Sequence, residues 1–204
     1  MSEKRNYQKE LDLLIEGLEK EGRRPKLLLH ACCAPCSSYC LEYLSKYFEI
    51  TVFYHNPNIS PEAEFDYRVS ELKRLLGEMP LPSEVKLIVA DYNAAEFEDA
   101  VRGLENEPER GSRCTVCYRL RLRKSAGYAA EHGFDYFTTT LSISPYKDAE
   151  RLVNLGEELA EEFGVKYLPS DFKKKNGYKR SIELSEEYGL YRQDYCGCRY
   201  SKRE

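Results

Sequence analysis

No run of about 18 apolar residues occurs in this 204-residue chain, so no membrane span is expected. The opening stretch, MSEKRNYQKELDLL, lacks the apolar core of a secretory leader, and a cytoplasmic protein is the expectation. Neither G-x-x-x-x-G-K-S/T nor G-x-G-x-x-G is present, which removes the phosphate loops of triphosphate-binding and dinucleotide-binding proteins. The net charge is only −4, so the molecule is no polycation, and any nucleic-acid contact must come from local basic patches. Tryptophan is absent and methionine occurs only twice beside abundant Glu, Lys and Arg, a composition that matches thermophile proteins. There is no internal repeat and no low-complexity linker. One core, and hence a single domain over 1–204, is the simplest organisation for this length.

What the chain does have is cysteine. Eight of them in a cytoplasmic protein need a reason, because reducing conditions disfavour structural disulfides. They are not scattered. Cys32, Cys33, Cys36 and Cys40 form one group, Cys114 and Cys117 a second, Cys196 and Cys198 a third. Clustering points to metal or cluster ligation rather than to small buried hydrophobes.

The elements place these groups. Residues 7–21 read as an amphipathic helix with Leu11, Leu14, Ile15 and Leu18 on one face. KLLLHAC is a short buried strand, followed by a helix over about 38–47 that Ser37 or Ser38 can cap. EITVFYHNPNI is a second strand. A helix then starts at Ser60 and Pro61, with the proline at the first helical position and Phe65, Val69, Leu72 and Leu76 on its apolar face. EVKLIVADY is a third strand, and Asn93 with Glu96 forms a capping-box variant opening a helix to about residue 105. A polar loop leads to a helix over 113–131, and FDYFTTTL is the fourth strand. The loop SISPYK precedes a helix over 147–163 that ends at Gly164. VKYLPSDF starts as a fifth strand, and 171–204 is basic and irregular with a short helix near 181–188. Alternating strands and helices predict an α/β protein with an open, mainly parallel five-stranded sheet and helices on both faces. Ligands of such sheets sit beyond the carboxyl ends of the strands. Cys32 to Cys36 lie there after the first strand, Asn56 to Asn58 after the second, and Ser142 to Lys147 after the fourth.

The cysteine spacings allow several chemistries. Cys33 and Cys36, separated by Ala34 and Pro35, could bite a metal or form a thioredoxin-like redox pair at a helix N-terminus. Cys114 and Cys117 share one face of a helix. Gly197 lets the backbone turn between Cys196 and Cys198. Thiolates suit zinc and iron–sulfur clusters alike. Zinc needs four sulfurs, whereas seven lie in motif-like positions, enough for a cluster plus a second metal or a redox thiol pair; the alternative is four zinc ligands with the others packed inertly. Cys40, among apolar neighbours, reads as a buried small residue. His30 is a metal ligand, a proton donor or a hydrogen-bonded core histidine, the last being commoner; His132 suits a helix C-terminus. Tyr195, Asp194 and Asp171 could each supply a proton or an oxygen ligand. Arg119 and Arg123 share a helix face, and KKKNGYKR gathers Lys173, Lys174, Lys175, Lys179 and Arg180 around Tyr178; Arg192, Arg199, Lys202 and Arg203 add to this region. Polyanion binding and a solvated charged face both fit these tracts.

Taken together, HACCAPCSSY, NPNISP, RCTVCYRLRL, FTTTLSISPYK and KRSIELSEEYGLYRQDYCGC resemble the cobalamin-independent epoxyqueuosine reductases, the QueH family, over about residues 5–201. The resemblance implies an adenine-nucleotide α-hydrolase-like (HUP-like) fold with cysteines in place of the phosphate loop. It implies reduction of the epoxide of epoxyqueuosine, at the wobble position of a tRNA with a GUN anticodon, to the alkene of queuosine, the last step of its synthesis. It further implies a four-iron, four-sulfur (4Fe-4S) cluster near a second mononuclear iron, and an external electron donor such as a ferredoxin, a flavodoxin or a chemical reductant. On this basis Cys33, Cys36, Cys114 and Cys117 are expected to hold the cluster. Cys32, Cys196 and Cys198 are expected to serve the second iron or a redox pair, with Asp171 as an oxygen ligand and Tyr195 in the catalytic set. Segment 171–204 is expected to close the metal site, and Arg119, Arg123, Lys173, Lys174, Lys175, Tyr178, Lys179 and Arg180 to meet the RNA. A cluster-dependent tRNA-thiolating enzyme and a non-catalytic, zinc-stabilised RNA-binding module are the other readings.

Overall fold

The computed structural model describes residues 5–202, so Arg203 and the outermost ends of the expected 1–204 unit lie outside the described residues. The elements run α1 (Tyr7–Lys20), β1 (Lys26–His30), α2 (Ala34–Leu44), β2 (Glu49–Tyr54), α3 (Glu62–Glu78), β3 (Lys86–Val89), α4 (Ala94–Ala100), α5 (Ser112–Glu131), β4 (Tyr136–Thr139), α6 (Ala149–Phe163), β5 (Lys166–Tyr167) and α7 (Gly177–Glu187), with single 3-10 turns at Thr140–Ile143 and Arg199–Ser201. The five strands form one sheet in the order β3-β2-β1-β4-β5. Every pairing is parallel, with Leu28 of β1 opposite Thr51 of β2 and Phe137 of β4. This is the α/β sheet the sequence predicts, parallel throughout rather than mainly so.

Side-chain alternation along the central strands builds two cores. Leu27 and Leu29 of β1, with Ile50, Val52 and Tyr54 of β2, pack on the face carrying α1, α2 and α3. Leu28, Phe53 and Phe137 point the other way, onto α5 and α6. With both faces covered, Leu27 to His30 of β1 are buried, and the three leucines read as a continuous apolar run.

Several boundaries differ from the sequence reading. α2 starts at Ala34, four residues early, because Pro35 sits in the first turn, where its missing N–H costs nothing, and Cys33 takes the N-cap in an extended conformation. Ser37 and Ser38 therefore lie inside the helix and donate back to the carbonyls of Cys33 and Pro35 at 2.8 and 2.9 Å. Pro61 stands at the N-cap of α3 rather than inside it. α4 ends at Ala100, before Gly103 at φ +84, and Asn93 makes no side-chain cap; the Glu96 carboxylate lies 3.6 Å from His55 Nε2 instead. β5 keeps only two residues, and α7 begins at Gly177 instead of near 181.

Candidate metal centre

Strands β1 and β4 are neighbours, but the chain leaves them toward opposite faces, into α2 from β1 and toward α6 from β4. The parting loops open a crevice at the carboxyl edge of the sheet, the expected ligand position in a doubly wound fold. Cys32 and Cys33 occupy the β1 loop, and Cys36 follows one turn into α2. Their Sγ atoms lie within 4.8 Å of one another. Cys32 Sγ is 3.7 Å from Cys33 Sγ and 3.7 Å from Thr140 Oγ1 on the far wall. All eight cysteines are free thiols.

The three thiols are biased unequally toward ionisation. Hydrogen bonds from Cys33 and Cys36 hold the Cys32 thiol well below its ordinary range, against the cost of burial and with help from Arg121. The same hydrogen bonding to Cys32 pushes Cys33 up to about 12 and Cys36 well above the usual thiol range. A thiol biased toward ionisation beside two biased against it, at the positive N-terminus of α2, is a set of soft donors that a metal can deprotonate further.

The other sulfur groups converge from α5 and from the chain after α7. Cys114 and Cys117 are buried in the first turns of α5, and Cys114 Sγ accepts the Arg110 N–H at 3.3 Å. Cys32 packs at the edge of the apolar group that contains Cys114. Cys117 and Cys198 share a second apolar group with Phe97 and Val101, and Cys196 packs against it. Cys198 hydrogen-bonds Cys196 and lowers its thiol well below the ordinary range, with Lys147 adding to the effect. Cys32, Cys36 and Cys196 all line one cavity of about 230 Å³. The Cys32 sulfur lies with those of Cys33 and Cys36, and Cys32 also lines the cavity with Cys196, one of the two residues it was expected to join. Cys40 is fully buried in the apolar core, as a small hydrophobe.

Buried cations answer this concentration of sulfur, and tertiary structure shows which of the cations near the cysteines they are. Arg121 is 3% exposed, bonds the Cys117 carbonyl and Asn56 Oδ1 at 3.3 Å each, and lines the cavity. Burial opposes its charge, but Cys117 and Cys32 hold its pKa above normal. Lys147 behaves alike: desolvation is outweighed by Cys196, Tyr118 and Glu109. One signal for Arg121 was available in the sequence, since it follows Cys117 by four residues and so shares its helix face.

The segment after α7 is laced to α3. Arg74 donates to the Tyr188 and Gly189 carbonyls, and Glu71 accepts the Tyr191 N–H at 3.0 Å. Arg68, 2% exposed and paired with Glu64 at 2.7 Å, reaches the carbonyls of Tyr195 and Cys196. The Ser60 N–H donates to the Gly197 carbonyl at 2.9 Å. Gly197 has φ +97, and an added Cβ would stand 2.7 Å from Ile59 Cγ1, so only glycine fits between the two thiols.

The remaining expected site residues fall in different places. Tyr195 lines the cavity, its hydroxyl donating to the Ser60 carbonyl at 3.1 Å. Asp171 is buried, and its described partner is Lys173 Nζ at 2.6 Å rather than a thiol. Arg119 and Arg123 bind Glu158 and Glu162, tying α5 to α6. Lys175 pairs with Asp12, Arg180 with Glu42, and Lys179 with Glu183 at 4.0 Å. Lys174 is exposed and has no ion pair among the described residues, and Tyr178 lines the cavity. His30 is a core histidine: Nε2 donates to the His55 carbonyl at 3.0 Å and Nδ1 meets Thr139 Oγ1 at 2.9 Å. Burial lowers its pKa to about 4.

A family model described as "Epoxyqueuosine reductase QueH" matches residues 27–204. A protein of that name from Streptococcus pyogenes is 45% identical over 99% of this chain and 80% of the relative. One from Staphylococcus epidermidis is 44% identical over 97% of this chain and 84% of the relative. Among solved structures, a predicted tRNA methyltransferase subunit from Methanocaldococcus jannaschii is similar with TM-score 0.48 and 14% identity, over 79% of this chain and 75% of that one.

Proposed function

Because this chain belongs to the epoxyqueuosine reductase QueH family, we infer that its sulfur-lined crevice is where the epoxide of epoxyqueuosine in tRNA is reduced to the alkene of queuosine. The observation that carries this reading is the meeting of Cys32, Cys33 and Cys36 within 4.8 Å on a cavity that Cys196 also lines. Removing the oxygen as water breaks both carbon–oxygen bonds of the ring and consumes two electrons and two protons. No helix among the described residues is long and apolar enough to cross a membrane, and a cytoplasmic enzyme is proposed. The substrate proposed is a tRNA with a GUN anticodon, and the electrons come from an external donor, a ferredoxin, a flavodoxin or a chemical reductant.

The proposed ligand set is Cys32, Cys33, Cys36, Cys114, Cys117, Cys196 and Cys198. The donor chemistry fits a 4Fe-4S cluster with a second iron: all seven are free thiols, Cys32 and Cys196 are poised as thiolates, and buried cations stand beside them. When bound, such a centre supplies single electrons and Lewis acidity. The chain does the rest. Arg121 offsets the negative charge of the sulfur groups. Lys147 keeps a proton on Nζ at the cavity wall. Tyr195, fixed by Ser60, and the strap over α3 limit water. Asp171 joins as an oxygen ligand only by leaving Lys173. Cysteines stand after β1 where an ATP-binding loop would have to lie, which disfavours tRNA thiolation.

The test is anaerobic. Iron- and sulfide-loaded protein, given dithionite and tRNA carrying epoxyqueuosine, is expected to convert that nucleoside to queuosine, read by mass analysis of the digested tRNA. Colourless, iron-free protein that leaves the epoxide intact would overturn the reading.

A further inference from the structure

The β4–α6 loop puts one large aromatic side chain where the catalytic chemistry does not use it. Tyr146 is 60% exposed, an unusual state for a ring, yet it lines the same cavity as Cys32, Cys36 and Cys196. Its hydroxyl has no hydrogen bond among the described residues, while its backbone is firmly held. Arg110 Nε donates to the Tyr146 carbonyl at 3.1 Å, and Arg110 Nη2 to the Pro145 carbonyl at 2.9 Å. The Tyr146 N–H donates to Ser144 Oγ at 3.2 Å, and the Lys147 N–H to the Ser144 carbonyl at 3.1 Å. Arg110 is itself fixed: it adopts φ +73, its N–H reaches Cys114 Sγ at 3.3 Å, and its carbonyl accepts from Arg151 at 2.6 Å. A fixed loop thus carries a free ring at the cavity mouth.

The cavity, at about 230 Å³, falls below the range of pockets for drug-sized ligands. It can admit the substituent of one base and not a stretch of RNA. The base that carries the substituent must therefore lie outside the thiols, at the rim, unstacked from its neighbours. Bases taken out of a stack are held by aromatic side chains. Tyr178 and the guanidinium of Arg192, whose described partner is only Ser185 Oγ at 3.1 Å, stand on the α7 side of the rim.

We propose that Tyr146 is the stacking platform for the splayed-out substrate nucleobase, and that Arg110 is the positioning residue that holds the platform at a set distance from the Cys114 end of the sulfur centre. The proposal rests on the reductase reading and adds the contact that presents the base.

The experiment uses the loaded holoenzyme and a fluorescein-labelled anticodon stem-loop carrying epoxyqueuosine. Tyr146→Ala is expected to weaken stem-loop binding, read by anisotropy, about tenfold, the lower part of the range for losing one base–aromatic stack. KM should rise by a similar factor with kcat changed far less, and the visible spectrum and iron content should stay as in the wild type. Tyr146→Phe should rescue binding to within about twofold, because the face and not the hydroxyl makes the contact. Arg110→Ala should weaken binding alone yet add little in the Tyr146→Ala background, since it acts through the ring. Wild-type affinity in Tyr146→Ala, an equal loss in Tyr146→Phe, or fully additive Arg110 and Tyr146 effects would overturn the proposal. Failure of the reductase reading shows separately, as no queuosine formed by the wild type; the binding series still decides the role of the ring.

Discussion

The two sulfur-bearing walls of the crevice are built differently. Cys32, Cys33 and Cys36 stand at the buried carboxyl end of the central strand and on the first turn of α2, so backbone hydrogen bonding sets their spacing. Cys196 and Cys198 stand on an irregular strap with no sheet pairing, held by Arg68, Glu71 and Arg74 of α3 and by the backbone N–H of Ser60 ahead of it. The first wall inherits its geometry from the fold. The second borrows it mostly from side chains and from one glycine, so it is the wall that single substitutions can detach.

Four perturbations break or sharpen this contrast. Cys36→Ala strikes the rigid wall and should reduce turnover to background with heavy loss of bound iron and sulfide, while the thermal melt of the apoprotein shifts little; unchanged iron content would remove Cys36 from the ligand set. Arg68→Ala strikes the strap and leaves Glu64 without its buried partner, an expected loss of about 3 kcal/mol in urea unfolding. Protease cleavage between residues 190 and 200 should accelerate with it, and a variant cleaved no faster than wild type would refute the lacing.

The third perturbation is acid, read through His55, whose carbonyl accepts from His30 at the end of β1. Burial lowers His55 to about 3, so the folded chain keeps it neutral, whereas an unfolded chain protonates it near 6.5. The unfolded state therefore binds the extra proton, and stability present above pH 6.5 is lost as pH falls toward 3. Between pH 6.5 and 5 the loss should be about 2 kcal/mol for this group. The urea midpoint of the wild type should fall across that range more steeply than that of His55→Asn, and equal slopes would contradict the assignment. The smallest effect is expected at the surface. Changing Lys173, Lys174 and Lys175 to Glu should weaken tRNA binding roughly tenfold at moderate salt and leave the iron content unaltered. Lys173 and Lys175 already face carboxylates, so Lys174→Glu alone should carry much of the loss.

The contrast between the walls also marks what the sequence could reveal. Strand β1 and the helix face of Cys114 and Cys117 were legible because local periodicity and spacing set them. The cap of α2 was misplaced because Pro35 and extended Cys33 outcompete Ser37 and Ser38, which hydrogen-bond their own helix instead. The cations were the least legible. The conspicuous tract partners Arg119, Arg123, Lys175 and Arg180 are neutralised by carboxylates from other elements, while Arg121 of the run after Cys117, and Arg68, unremarkable in the sequence, are buried at the crevice. Charge pairing across sequence distance leaves no local pattern to read.

The order of the two walls along the chain has a consequence for how the protein is made. Cys36 leaves the ribosome roughly 160 residues ahead of Cys196, an interval on the order of ten to thirty seconds at bacterial elongation rates. During that time a nascent chain displays three close thiols without the strap that forms the facing wall of their cavity, open to stray zinc and to oxygen. On the proposed iron–sulfur reading, loading of the centre is therefore a race against the synthesis of its second wall.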